Sequence, residues 1–291
     1  VSDDQRSGLV SLAFVTVILL VMRYAVFVTG PAGAGKSTFC ASLITHAQTT
    51  GRSVHLFNLD PAADRFEYEP TIDIRDLINL EDVMEELEFG PNGGLIYCFE
   101  YLLNNLDWLD DELGPYEDDY LIIDCPGQIE LYTHVPLLPR LASYLSVHLN
   151  FRTSAVYLID SQFMQDKSKF LAGVMSAMSC MLSLGISMVC LMSKMDLVKD
   201  RKGRIKREVG RYLDPDPQLL LDDVNASTNP KFHALNKAVV SLIEDQSLVS
   251  FLPLDVTSED SVNTVLSHID NMMQYGEDEE PKIPKDMDEG E

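Results

Sequence analysis

The chain has 291 residues, 46% of them apolar and 23% charged, which is enough to bury a full globular core and too apolar for a disordered or fibrous protein. Forty-six acidic residues against 22 Lys and Arg give a formal charge of −24. A field of that sign repels bare phosphate backbones, excludes direct nucleic-acid binding as the main activity, and suits basic protein partners.

The first 21 residues contain "LVSLAFVTVILLV" (9–21), as apolar as a signal-peptide core or a short membrane anchor. The stretch is short for a spanning helix, no small-residue cleavage pattern follows it, and it runs without a linker into "RYAVFVTG", which is needed as a central strand. Met22 stands directly before that strand. The expectation is a non-native extension over 1–21, a folded domain over 22–276, and no membrane segment.

"YAVFVTGPAGAGKST" reads as a strand (23–29), a glycine-rich turn and the start of a helix (36–50). Gly30, Gly35, Lys36 and Ser37 fit GxxxxGK[ST], whose backbone N–H groups wrap the phosphates of a nucleotide at a helix N-terminus. Gly33, Ala34, Gly35, Lys36, Ser37 and Thr38 are the expected phosphate contacts. Lys36 reaches the β- and γ-phosphates, and the Ser37 hydroxyl holds Mg²⁺. The second strand (53–59) ends in "NLDPAAD". A strand–helix–strand crossover makes it parallel to the first, so Asp60 stands at the carboxyl edge where open α/β sheets bind ligands. Two roles are open for it: ligand to a Mg²⁺-bound or attacking water, or cap of the turn before Pro61.

A helical insertion (72–113) is expected next. Inside it, "EFGPNGGLIYC" surrounds Asn92 with Gly90, Pro91, Gly93 and Gly94. That composition fits either an asparagine held rigidly for a purpose or a plain turn between two helices. The strand 119–124, "DYLIID", ends at Asp124, where a carboxylate would hold Mg²⁺ through water. Gly127 lets the backbone approach the γ-phosphate, and Gln128 is a water-positioning candidate. The DxxGQ pattern separates nucleotide-hydrolysing switches from most kinases.

Helix (134–148), strand (154–160), a Met-rich helix (163–184) read as a packing face, and strand (187–192) follow. The last leads into Ser193, Lys194, Met195 and Asp196, close to the guanine-reading [NT]KxD. A carboxylate at Asp196 accepts the N1–H and N2 protons of guanine, and the Lys194 stem covers the base plane. Ser193 in place of Asn loses one amide's hydrogen bonding. "KDRKGRIKREVGR" (199–211) opens a second helical insertion (199–230) and is the only basic cluster, read as a solvated face or a docking surface. Helix (231–246), strand (250–256) and helix (259–275) complete the domain, and "DVTSED" sits where a second base loop belongs. Residues 277–291 carry eight acids and two lysines, a net of −6, and are expected to be a disordered tail. Five cysteines without CxxC pairing read as buried thiols of a reducing compartment. Alternating strands and helices mean an α/β, doubly wound, mostly parallel sheet of the P-loop NTPase type with helical insertions, with no repeat and no second domain.

"GPAGAGKST", "NLDPA", "FGPNGG", "DCPGQIELYTH" and "SKMD", in this order, resemble the GPN-loop GTPases, and "DIRDLINLEDVMEELEFGPNGG", "DSQFM" and "YLDPD" resemble the third eukaryotic paralogue. The resemblance runs from about Met22 to Tyr275. It implies a Mg²⁺-dependent GTPase working as a dimer, with itself or with another paralogue. It also implies a loop of Gly90, Pro91 and Asn92 that reaches into the partner's nucleotide site. The eukaryotic members are implicated in assembling RNA polymerase II and bringing it to the nucleus, which implies a cytoplasmic protein that shuttles. Two other classes stay open on the residues alone: a non-hydrolysing nucleotide-binding assembly factor, and an ATP-dependent P-loop kinase. The kinase is disfavoured because "DPDPQLLLDD" lacks an arginine-rich lid.

Overall fold

A computed structural model describes residues 23–64, 66–114, 120–133, 135–198, 209–214, 221–222, 224–226, 228–246 and 249–276. The N-terminal extension with Met22, most of the basic cluster and second insertion, and the acidic tail lie outside these residues.

Seven parallel strands form one sheet in the order β3–β2–β4–β1–β5–β6–β7. They are β1 (Arg23–Thr29), β2 (Val54–Asn58), β3 (Ile72–Asp73), β4 (Tyr120–Asp124), β5 (Phe151–Asp160), β6 (Ser187–Ser193) and β7 (Phe251–Pro253). The chain returns to the centre after β3 and grows outward on the other side of β1, which makes the sheet doubly wound as expected.

The near-continuous apolar run of β1 is what burial on both faces requires. Tyr24, Val26 and Val28 pack against α1 (Lys36–Thr49) and α11 (Glu259–Met273), through Phe39, Leu43, Val262 and Leu266. Ala25 and Phe27 face the opposite layer, which includes α4 (Pro91–Asn104), α7 (Leu137–Val147) and α8 (Lys167–Leu184). The Met-rich stretch is part of that layer: Met178 is buried and Met175 and Met181 pack against the core.

The first insertion differs from a purely helical segment. It opens with the two-residue strand β3, paired to β2 through Phe57–Ile72 and Asn58–Asp73. Two residues are too few to show a period of two, so no pattern marks them. The helices α2 (Ile74–Leu77), α3 (Leu80–Leu87), α4 and α5 (Leu106–Leu113) follow. Strand β5 begins at Phe151, three residues before the expected start, because Arg152 interrupts the apolar run; its guanidinium is used at the sheet edge, on the Met273 carbonyl. The expected helix at 134–148 is α7, and a short helix that was not expected, α6 (Glu130–Thr133), precedes it. Short α9 (Gly210–Leu213) and α10 (His233–Gln246) complete the described helices. All five cysteines are buried and free. Among the described residues no helix is long and apolar enough to cross a membrane.

Candidate nucleotide site

The turn from β1 to α1 is built on glycines, one barred from any side chain by sterics and two favoured by their backbone conformation. Gly30 has φ +136°, and a Cβ there would lie 2.4 Å from the Leu158 carbonyl oxygen. Gly33 and Gly35 are also left-handed, at +76° and +89°. Lys36, the first residue of α1, is buried, and its Nζ donates to the carbonyls of Gly30 (3.1 Å) and Pro31 (3.2 Å). Burial lowers the Lys36 pKa, with Asp124 opposing that shift. Ser37 and Thr38 are exposed at the start of the helix.

Asp124 ends β4, opposite Val28 and Asn58 in the neighbouring strands, and is 4% exposed. Burial pushes its pKa up to about 6 against the pull of Ser37 and Lys36, and its Oδ1 is buried with no partner in the chain. A buried carboxylate oxygen without a donor, beside a serine hydroxyl and a lysine, fits a hard cation held partly through water. Ser37 and Asp124 are thus the residues that would hold Mg²⁺.

Asp60 lies just past β2. Burial raises its pKa, and its Oδ1 caps the turn by accepting from the Ala62 N–H at 3.0 Å. Of the two roles open from the sequence, the structure shows the cap; Asp60 also stands at the carboxyl edge, within the electrostatic reach of Lys36. Three residues that the pattern did not single out hold it there. The Asn58 amide donates to the Asp60 carbonyl (3.1 Å) and to Asp73 (2.9 Å), and accepts from the Asp60 N–H (3.0 Å). Arg75 pairs with Asp73 at 2.6 Å and donates to the Ala63 carbonyl at 2.8 Å. Asn58 is fully buried, and its amide bonds are what satisfy it there.

Gly127 has a second reason to be glycine. A Cβ there would meet Ala32 Cα at 2.9 Å and Ala32 N at 3.2 Å, so the loop after Asp124 presses directly on the phosphate loop. Gly127→Ala must displace backbone, and nucleotide affinity is expected to fall by about tenfold or more, equivalent to about 1.4 kcal/mol. Calorimetric titration of the variant checks this.

Asn92 lies in the first turn of α4, with Gly90 as N-cap and Pro91 at the first helical position. The segment is a helix start, and its glycines do not work as a flexible cage. Gly90 has an ordinary φ of −72°, and a side chain at Gly93 would find ordinary contacts. Rigidity comes from Pro91, whose fixed φ suits that position, and from Gly94, where a Cβ would lie 2.7 Å from Leu80 Cδ1 of α3. Asn92 is exposed, and Gln128 Nε2 of the same chain donates to its Oδ1 at 3.2 Å.

The four residues after β6 divide into two kinds. Ser193, 2% exposed, donates to the Ala34 carbonyl at 2.6 Å, with the Ile159 carbonyl at 3.1 Å; it binds the phosphate loop and is closed off from a ligand. Met195 is buried, and its N–H bonds the Leu254 carbonyl. Lys194 Nζ donates to the Gly33 carbonyl at 2.7 Å, and Asp196 is exposed beyond it. In "DVTSED", Asp255 accepts from the N–H and hydroxyl of Thr257, which fixes the loop next to Met195. A cavity of about 600 Å³ runs along Pro31–Ala34 to Asp160, Lys169 and Lys194, and its lining includes neither Lys36 nor Asp124.

Glycine-rich loop, buried lysine, helix N-terminus and a buried aspartate with one free oxygen at the tip of the adjacent strand define a P-loop nucleotide-binding protein. A family model described as a conserved hypothetical ATP-binding protein matches residues 28–275. A Mycosarcoma maydis protein named GPN-loop GTPase 3 is 67% identical, over 92% of this chain and 98% of its own. Proteins of the same name from Schizosaccharomyces pombe (58%; 91% and 96%) and Saccharomyces cerevisiae (53%; 91% and 97%) match as fully. The crystal structure of a GTPase in apo form from Pyrococcus abyssi superposes with a TM-score of 0.70 at 22% identity, covering 86% of this chain and 97% of that one, and shows the shared fold. The chain belongs to the GPN-loop GTPase family, and the relatives it matches carry the name of the third paralogue.

Proposed function

We propose that the protein binds GTP with Mg²⁺, hydrolyses it slowly, and works as a dimeric switch. The observation that carries the reading is the physical union of two half-sites. Lys194 and Ser193, beside Asp196, bond the backbone of Gly33 and Ala34 in the phosphate loop, so one ligand spans both. A guanine base lies along the Lys194 stem, with Asp196 accepting its N1 and N2 protons. Ser37, and Asp124 through water, would hold Mg²⁺, which would supply neutralising charge at the phosphates. Asp60 and Gln128 orient the attacking water.

The names of the relatives favour GTP, whereas the family model is described as ATP-binding. Asp196→Asn separates the two. It is expected to weaken GTP by about 10- to 100-fold, the cost of leaving buried hydrogen bonds unmade, and to favour xanthosine triphosphate. A variant that binds GTP like the parent, or a parent that prefers ATP, would sink the guanine assignment.

The partner is a second chain of this family, the same or a paralogue. Asn92 at an exposed helix start is built to present a side chain, and free N–H groups of that first turn, to an anion across an interface. Leu87 and Phe89, shortly before it in the chain, and Tyr101, further along α4, are exposed, with Phe89, Tyr97 and Tyr101 forming a run of ring contacts. The single bond between Asn92 and its own Gln128 is exposed and contributes about 1 kcal/mol or less, so it does not hold the loop back. A role in RNA polymerase II assembly, and shuttling between cytoplasm and nucleus, follow from the family resemblance alone.

A further inference from the structure

Lys194 is held in an unusual way. Among the described residues it is one of four non-glycine positions with a positive φ, at +56°, a conformation that costs a side-chain-bearing residue about 1–2 kcal/mol. The end of β5 meets this residue at both of its ends. Asp160 Oδ2 receives the Lys194 ammonium at 2.7 Å, and the Ser161 hydroxyl donates to the Lys194 carbonyl at 2.9 Å. Asp160 is itself fixed, because its Oδ1 accepts from the Gln162 N–H at 2.8 Å and the strand register sets it opposite Ser193. Ser161 is buried.

We propose that Asp160 and Ser161 are positioning residues of the base site, holding Lys194 in its left-handed conformation with its stem lying where the base stacks. A free lysine side chain samples many rotamers and would lose that freedom on binding a base. Tying its ammonium between the Gly33 carbonyl and the Asp160 carboxylate removes that cost before the nucleotide arrives. Exposed ion pairs contribute little, but the Asp160 side chain is only 13% exposed and its other oxygen is already engaged. The arrangement also couples the two half-sites: the same ammonium that lies along the base bonds the phosphate loop, so a base held in place steadies Gly33.

This inference rests on the guanine reading, and its test separates the two. Affinities of Asp160→Asn, Lys194→Ala and the double variant are measured for GTP with Mg²⁺, and for inorganic tripolyphosphate with Mg²⁺ as a base-free ligand of the phosphate loop. Asp160→Asn is expected to weaken GTP by about tenfold, as losing one charge-assisted bond does, and to leave tripolyphosphate within about twofold. On top of Lys194→Ala it should add nothing, since the group it acts through is gone. Ser161→Ala, which alters no charge, should weaken GTP in the same selective way by about threefold and covers the case in which Asp160→Asn does not fold. Equal losses for GTP and tripolyphosphate, or a full additional loss in the double variant, would make Asp160 a structural residue and overturn the proposal. Unchanged GTP binding by Lys194→Ala as well as by Asp196→Asn would remove the guanine reading and this inference with it. Loss in Lys194→Ala without loss in Asp160→Asn or Ser161→Ala would remove this inference alone.

Discussion

Asn92→Ala is expected to leave GTP binding by its own chain nearly intact and to slow hydrolysis by about 10- to 1000-fold, the range for removing one preorganised donor from a transition state. Binding should survive because the phosphate loop, Asp124 and the Lys194 region are all remote in sequence and none of them bonds Asn92 among the described residues; only Gln128 does. The loss should fall on the partner's site. In a mixed dimer with one variant chain and one parent chain, the parent chain's nucleotide lacks an inserted Asn92 and should turn over slowly. The variant chain, served by the parent's loop, should keep its rate. Single-turnover assays in which one site at a time is disabled by Lys36→Ala assign the slow site. Slowing confined to the variant chain's own nucleotide would mean that the observed Asn92–Gln128 bond is the working arrangement and the loop acts on its own chain. No slowing in either site would reduce the segment to a helix start.

Gly90, Pro91 and Asn92 show where sequence reading ends. Strands and helices of the sheet were legible because burial on two faces imposes continuous apolar runs: β1 and α1 follow the expected bounds closely, and α8 ends where expected but starts four residues late, after a 3-10 turn at Ser161–Gln165. The phosphate loop was legible because its glycines answer to hard steric limits. The role of three glycines around Asn92 was not: composition does not distinguish a turn from a helix N-terminus whose Gly94 makes room for Leu80 of a neighbouring helix. Strand β3 and the anchors Asn58, Arg75 and Asp160 were invisible for a related reason. Each is polar, acts across a gap in sequence, and has no period. Ser193 is the instructive case. Read as a weakened base contact, it is a buried hydroxyl that bonds the phosphate loop, so its effect on a ligand passes through Ala34.

Asp124→Asn should act in opposite directions on the empty and loaded protein. The ionised carboxylate is almost fully buried, with burial as the main cause of a pKa near 6 against an ordinary 3.8. A group whose folded pKa is raised favours folding while protonated, and that advantage is lost as pH climbs from about 4 through about 6. At neutral pH the ligand-free fold therefore carries the whole cost, about 3 kcal/mol for a shift of this size. Asparagine removes the charge at nearly the same volume, so the nucleotide-free variant should melt several degrees above the parent at pH 7; the attraction to Lys36 is already contained in the pKa of about 6. At pH 5 the difference should shrink. With Mg²⁺ and GTP the order should reverse: the parent gains stability by mass action, while the variant, without the carboxylate that holds Mg²⁺, gains little and hydrolyses at least about 100-fold more slowly. Thermal melts of both proteins at the two pH values, with and without Mg²⁺ and GTP, read all of this directly. A variant that melts below the parent when empty would show that Asp124 stabilises the ligand-free fold through its Lys36 and Ser37 contacts. One stabilised by Mg²⁺ and GTP as strongly as the parent would show that the cation is held elsewhere, with Asp60 at the same sheet edge the first residue to replace next.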